Sequence, residues 1–290
     1  YSLYIPMFYN EDYSQKEELV SYLKKAKTDR VFILFNQILN DPIKLERELA
    51  ALSNVIGFFD RNGIKTGVWI FPTLGCGNPK SIIQLGENTD FTRIKTLIVG
   101  NVYDSGVRNK RFTYGSFCPM DKNFTKAIAE LIAKVALYTD TIFLEDDFSI
   151  TGMDFRDMTC CCKLHMAEFR KRTNEKIATK DLADKVYFGD KKYRDIWYDI
   201  KKDTVLDFFK AIRKKVDEVA PETRVGFCAN RRSFDLDGAT IQEMAKTLAG
   251  NTKPLIRLTG APYWIPGQRF GRLPMEVVLE TVRQQQSWGT

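Results

Sequence analysis

Six short runs of apolar, β-prone residues alternate with long amphipathic stretches, and this alternation narrows the folds open to the chain more than any other feature. The runs are Leu3–Phe8, Arg30–Phe35, Thr66–Pro72, Thr141–Phe148, Arg224–Asn230 and Leu255–Gly260. Each is nearly continuous in apolar character, as expected of a strand covered on both faces; a strand with one wet face alternates instead. Between them, Lys16–Lys27, Ile43–Asn62, Asn123–Tyr138, Tyr193–Val219, Ile241–Leu248 and Met275–Trp288 place apolar residues at helical spacing, as in Phe124, Ile128, Leu131, Ile132 and Val135. Strands alternating with helices predict a parallel sheet wrapped by helices. A doubly wound nucleotide-binding sheet opens its first turn with glycines, and Phe8-Tyr9-Asn10-Glu11-Asp12 has none. A TIM (β/α)8 barrel is therefore the expected α/β fold, with about six of its β/α units in this chain.

Residues 1–290 carry no short-period repeat, low-complexity segment or Pro/Gly/Ser linker, so one barrel domain is expected. Two connections are unusually long, 73–120 and 149–192, each following a strand. Loops after strands build the active face of such a barrel, so these two read as active-face insertions.

Composition excludes several classes. With 44% hydrophobic residues the chain is neither a disordered tail nor a disulfide miniprotein. No apolar run approaches the roughly 20 residues of a membrane span, and the start at Tyr1-Ser2-Leu3 lacks a signal-peptide pattern, so a soluble protein without a membrane partner is expected. The formal charge of +7 raises nucleic acid as a partner. Most basic residues, however, alternate with acids at helical spacing, as in Lys44-Leu45-Glu46-Arg47-Glu48, which marks solvated helix faces and no nucleic-acid partner.

The fourth run ends in three carboxylates, Glu145-Asp146-Asp147. Acids crowded at a strand tip are costly unless paired, protonated or bound, and at the carboxyl end of a barrel strand they read as a general acid/base or a substrate clamp. Strand alternation sets Glu145 and Asp147 on one face and Asp146 on the other. The scaffold alternative is a capping role or a pair with Arg156.

Six cysteines are too few for a disulfide scaffold at this length, and three of them are adjacent: Cys160-Cys161-Cys162-Lys163-Leu164-His165. The segment holds the chain's single histidine in the spacing C-x-C-x-x-H. Thiolates and imidazole so close are ordinary zinc ligands, and a tetrahedral structural site needs a fourth, for which Cys118 is the best candidate. The alternative is a set of buried reduced thiols beside a histidine that only starts a helix.

Together these two motifs resemble the barrel domain of glycoside hydrolase family 42 β-galactosidases. Phe143–Arg170 resembles that family's acid/base strand and zinc loop, with His165 where the third clustered Cys usually stands and Cys118 matching the isolated ligand. Leu144-Glu145-Asp146-Asp147-Phe148 is similar also to related clan-A families, including the family 164 β-mannosidases. The resemblance implies a retaining β-glycosidase acting on a glycoside or oligosaccharide, with structural zinc, no organic cofactor and a trimeric or other homo-oligomeric assembly. It implies that the acid/base is Glu145, with Asp146 as runner-up and Asp147 tuning it or binding sugar, and that the nucleophile of strand seven lies beyond Thr290. Free thiols and zinc favour the cytoplasm, whereas a removed leader would mean a periplasmic or secreted enzyme.

Sugars are held by aromatic platforms and by planar or charged hydrogen-bonding groups. Asn36, Trp69, Asn230, Arg231, Tyr263 and Trp264 stand at or near strand ends and are the candidate substrate-binding residues, Trp69 having core filler as its plainer role. Two rival functions follow from the same residues: a non-catalytic carbohydrate-binding barrel, and a metal-dependent hydrolase holding a divalent ion on Asp146 and Asp147.

Overall fold

The computed structural model describes residues 6–9, 12, 16–39, 41–74, 91–99, 110–145, 150, 158–230, 238–259 and 283. Six strands form one parallel sheet: β1 (Pro6–Phe8), β2 (Arg30–Asn36), β3 (Lys65–Phe71), β6 (Thr141–Leu144), β7 (Arg224–Asn230) and β8 (Ile256–Thr259). A separate antiparallel pair, β4 (Arg93–Val99) and β5 (Lys110–Phe117), interrupts the path from β3 to β6. The helices are α1 (Glu17–Lys25), α2 (Pro42–Arg61), α3 (Lys122–Ala136), α4 (Lys163–Thr173), α5 (Leu182–Phe188), α6 (Lys191–Asp217) and α7 (Ile241–Ala249). Among the described residues, no helix is long and apolar enough to cross a membrane.

The six parallel strands lie side by side in chain order, β1-β2-β3-β6-β7-β8. A doubly wound sheet reverses its order at a switch point, and this one does not. Alternation sorts the side chains cleanly. Val31, Ile33, Phe35, Val68, Ile70, Ile142, Leu144, Val225 and Phe227 share one buried cluster with apolar residues of α1, α2, α3, α6 and α7. Phe32, Phe143 and Cys228 form a second cluster on the opposite face, with Trp69 and Leu255 packed against it.

That opposite face is concave. Arg257 of β8 places its guanidinium 5.4 Å from the centre of the Trp69 ring of β3. Three strand spacings separate them, about 14 Å in a flat sheet at 4.7–4.9 Å per step, so the sheet curls to bring the two together. Its floor alternates large and small residues. Phe32 pairs with Gly67 and Phe143 with Gly226, and the Phe32 and Phe143 rings meet at 5.0 Å. A Cβ on Gly67 would stand 2.4 Å from the Phe32 ring, and one on Gly226 would stand 2.3 Å from the Leu255 carbonyl oxygen.

Most of the strand and helix expectations hold within a few residues, with one correction. The fourth run leaves the sheet after Leu144, so Glu145 is the first residue past the strand. The connection 73–120 contains the β4–β5 pair, and 149–192 contains α4, a 3-10 turn at Thr179–Asp181 and α5. Leu3–Ile5 of the first run, Asp146, Asp147, Arg156, Arg231, Tyr263, Trp264 and all of the helix expected at Met275–Trp288 except Arg283 lie outside the described residues.

Candidate active face and metal centre

The concave face gathers polar residues near the carboxyl ends of its strands. Asn36 pairs with Phe71 in the β2–β3 register, and Cys228 pairs with Arg257 in the β7–β8 register. Glu145 stands one residue past the Ile70–Leu144 and Leu144–Phe227 pairs. Asn36, Phe71, Glu145, Cys228 and Arg257 therefore occupy one level across five strands. Trp69 lies one step below, half-buried, with Phe71 at 5.8 Å in an edge-on contact.

Glu145 is 6% exposed. Its backbone N–H donates to Thr73 Oγ1 at 2.9 Å, and the Gln37 Nε2 donates to the Thr73 carbonyl oxygen at 2.6 Å. The ends of β2, β3 and β6 are thereby tied together at the residue that carries the carboxyl group. Asn36 sits on the exposed rim and bonds with the Tyr9 hydroxyl; burial, before the Asn36 and Glu48 contacts, pushes that phenol up from its ordinary value.

Of the expected sugar-binding residues, Trp69 lies on the concave face, Asn36 ends β2 with its side chain bonded to the Tyr9 hydroxyl, and Asn230 ends β7 two residues after Cys228. Sequence reading missed Arg257, whose Nη1 also reaches Cys228 Sγ at 3.4 Å. Its signal was present: a lone charge inside the apolar run Leu255-Ile256-Arg257-Leu258. Nothing in the sequence marks Gln37 and Thr73, which act through backbone groups.

The second site is a cluster of Cys118, Cys160, Cys162 and His165, all buried, whose ligand atoms lie within 4.8 Å of one another. Cys118 follows β5 directly, and Cys162 is the N-cap of α4, which carries His165 in its first turn. The loop reaching Cys160 is held to β4: Leu97 and Met158 exchange both backbone bonds at 3.0 Å, and Lys95 O accepts from Cys161 N at 2.8 Å. Cys161 Sγ also reaches Lys95 O, at 3.1 Å, so the middle cysteine points away from its neighbours. Burial, ahead of the nearby charges, pushes its thiol up to about 11.

The cluster's dimensions suit a tetrahedral ion. A Zn–S bond of about 2.3 Å and a Zn–N bond of about 2.0–2.1 Å give tetrahedral edges of roughly 3.8 Å between sulfurs and roughly 3.6 Å from sulfur to nitrogen. Cys118 Sγ lies 3.9 Å from Cys160 Sγ and 3.7 Å from Cys162 Sγ. His165 Nδ1 lies 3.5 Å from Cys118 Sγ and 3.4 Å from Cys162 Sγ. Burial raises the Cys118 and Cys160 thiols, whereas hydrogen bonds with those two, and then His165, draw Cys162 down. A bound metal would displace the thiol protons of the ligating cysteines.

Behind the cluster, His165 Nε2 meets Thr204 Oγ1 of α6 at 3.3 Å, and the ring lies 6.2 Å from that of Trp197. The four ligands therefore join the β4–β5 pair, the α4 segment and, through Thr204, the long helix α6.

Comparison with known proteins agrees with the fold. Neither a protein-family model nor a curated protein sequence matches the chain. Solved structures do. The chain is similar to the β-galactosidase of the Antarctic haloarchaeon Halorubrum lacusprofundi, with a TM-score of 0.59 and 12% identity over 94% of this chain and 42% of that one. It is also similar to the β-galactosidases of Rahnella sp. R3 (TM-score 0.53, 14% identity, 92% and 40% covered) and Bacillus circulans sp. alkalophilus (0.52, 13%, 90% and 40%). The chain spans about two fifths of the length of these enzymes. At such identities the likeness shows the fold alone, an α/β fold with a parallel sheet shared with these enzymes.

Proposed function

We propose that the chain is the barrel part of a retaining β-glycosidase, of the β-galactosidase or β-mannosidase kind, in which Glu145 is the general acid/base. The observation that carries this reading is a nearly buried carboxyl at the carboxyl end of a central strand, on the concave face and level with Asn36 and Arg257. In such a mechanism the protonated donor delivers its proton to the leaving glycosidic oxygen. A second carboxylate about 5–5.5 Å away attacks the anomeric carbon, and the first group, now ionised, takes the proton of the incoming water. The reading assigns only the donor to this chain. Trp69 supplies an aromatic surface beside it, and Asn36 and Arg257 supply hydrogen-bonding groups at its level.

Cys118, Cys160, Cys162 and His165 would hold zinc in a closed structural site, with all four positions taken by protein. Its contribution is mechanical: the ligands clamp the two inserted segments together beside the sheet. The Glu145 reading is tested by turnover of aryl β-galactosides and β-mannosides. Glu145→Gln should slow substrates with poor leaving groups by about 100-fold or more, and activated aryl glycosides far less. Equal losses on both would assign the acid elsewhere. Sugar binding with no turnover of any glycoside would favour the carbohydrate-binding reading.

A further inference from the structure

We propose that Thr204 is a positioning residue for the metal centre: its hydroxyl fixes the His165 imidazole as the Nε2–H tautomer and so turns the bare Nδ1 toward Cys118 and Cys162. The inference rests on the metal reading above. Thr204 stands in α6 one turn after Ile200, and its Oγ1 lies 2.7 Å from the Ile200 carbonyl oxygen and 3.3 Å from His165 Nε2. A carbonyl only accepts, so the single hydroxyl proton goes to Ile200 and the oxygen offers the ring only lone pairs. Nε2 must then donate. A neutral imidazole carries one N–H, and placing it on Nε2 leaves a lone pair on Nδ1, which stands 3.4 Å from Cys162 Sγ and 3.5 Å from Cys118 Sγ.

His165 is fully buried and Thr204 is 5% exposed, so solvent competes poorly for this bond. The arrangement is the usual one for a ligating histidine, whose second ring nitrogen is held by an outer acceptor that sets both tautomer and ring orientation. It also has a mechanical consequence. α4 already packs on α6 through Phe169 and Trp197; the Thr204 bond adds a direct link from the ligand set to that helix, whose Phe208, Phe209 and Ile212 belong to the core behind the sheet.

The chain contains one histidine, so a long-range 1H–15N spectrum of the labelled 290-residue protein holds a single imidazole. In the metal-free wild type, Nε2 should be protonated and Nδ1 bare. Thr204→Val keeps the side-chain shape and cannot accept, so both tautomers should appear and zinc affinity, read by competition with a chromogenic chelator, should fall about 10- to 100-fold. Thr204→Ser should restore both. A bare Nε2 in the wild type, or a Val variant that holds zinc as tightly as the wild type, overturns the proposal. A wild type that takes up no zinc overturns the metal reading and the proposal with it. Should the Val variant fail to fold, the wild-type spectrum and the Ser variant still decide the question.

Discussion

The helix-backed side of the parallel sheet and the inserted segments around the metal centre are held together by different physics. The first is a large apolar cluster to which five helices and the strands β2, β3, β6 and β7 contribute, and whose margin takes in Ile94, Phe117, Cys118, Cys160 and Cys162 of the inserted segments. Burial there is worth about 25 cal/mol per Å² of apolar surface and needs no ligand. The second has a smaller cluster, with Leu97, Met158, Met166, Phe169, Leu182 and Trp197 among its members, drawn from the two-stranded pair, the short helices α4 and α5 and the first turns of α6. A lone two-stranded pair is marginal in water, so this region depends on directional links: the Leu97–Met158 backbone bonds, the Cys161–Lys95 contacts and the Cys3His set. Apolar burial tolerates small shifts, whereas a ligand cluster demands its geometry.

The strongest test of this contrast is a cavity in the sheet-side core. Phe209 is fully buried, with the Phe227 ring at 5.6 Å and the Phe208 ring at 5.9 Å. Phe209→Ala should cost about 3–5 kcal/mol of global stability by denaturant titration. The second test withdraws the metal. If free zinc stands about 1,000-fold above its dissociation constant, chelation removes about 4 kcal/mol. Hydrogen exchange should then quicken in β4, β5 and α4 while β2, β3 and β7 keep their protection. A uniform loss across both regions would erase the distinction drawn here.

A smaller effect is expected at the seam between the two. Asp121 is the N-cap of α3, accepting from Asn123 and Phe124 N–H, and it also accepts from Thr92 N, just before β4. Asp121→Ala should cost about 1–2 kcal/mol and loosen the start of β4 together with α3. Acid supplies the smallest test. Burial alone would raise the Asp121 carboxyl, but the N–H and hydroxyl of Thr92 and the Phe124 and Asn123 N–H groups outweigh it and hold the carboxyl below its ordinary value. A depressed folded value gives stability that is full above the unfolded pKa of about 3.9 and is lost as pH falls through the folded one. Thermal melts between pH 5 and pH 2, approximate limits set by that range, should therefore show a smaller acid loss in Asp121→Asn than in the wild type. Equal slopes would remove Asp121 from the seam.

Much of the sheet-side core was legible because its signal is periodic. Val31–Phe35 is an unbroken apolar run of strand length, Phe124, Ile128, Leu131 and Val135 recur at helical spacing, and the observed elements follow those patterns closely. The β4–β5 pair was not legible. Arg93-Ile94-Lys95-Thr96-Leu97 reads as an ordinary amphipathic segment, and a stretch with one mixed face gives too weak a pattern to separate a strand from a loop. Gln37 and Thr73 carried no signal either, since a side chain that bonds a backbone group can be almost any small polar residue.

The sequence by itself determined the strand–helix alternation, the Cys-x-Cys-x-x-His spacing and the carboxylate cluster at the end of the fourth run, because each depends on neighbours along the chain. The tertiary structure alone decided which residues meet across it. Only the register brings Asn36, Glu145 and Arg257 to one level, only the curl of the sheet sets Arg257 over Trp69, and only the packing of α6 against α4 gives His165 its Thr204 partner. These contacts join residues tens to hundreds of positions apart. They are fixed by how layers pack, and no local pattern records that.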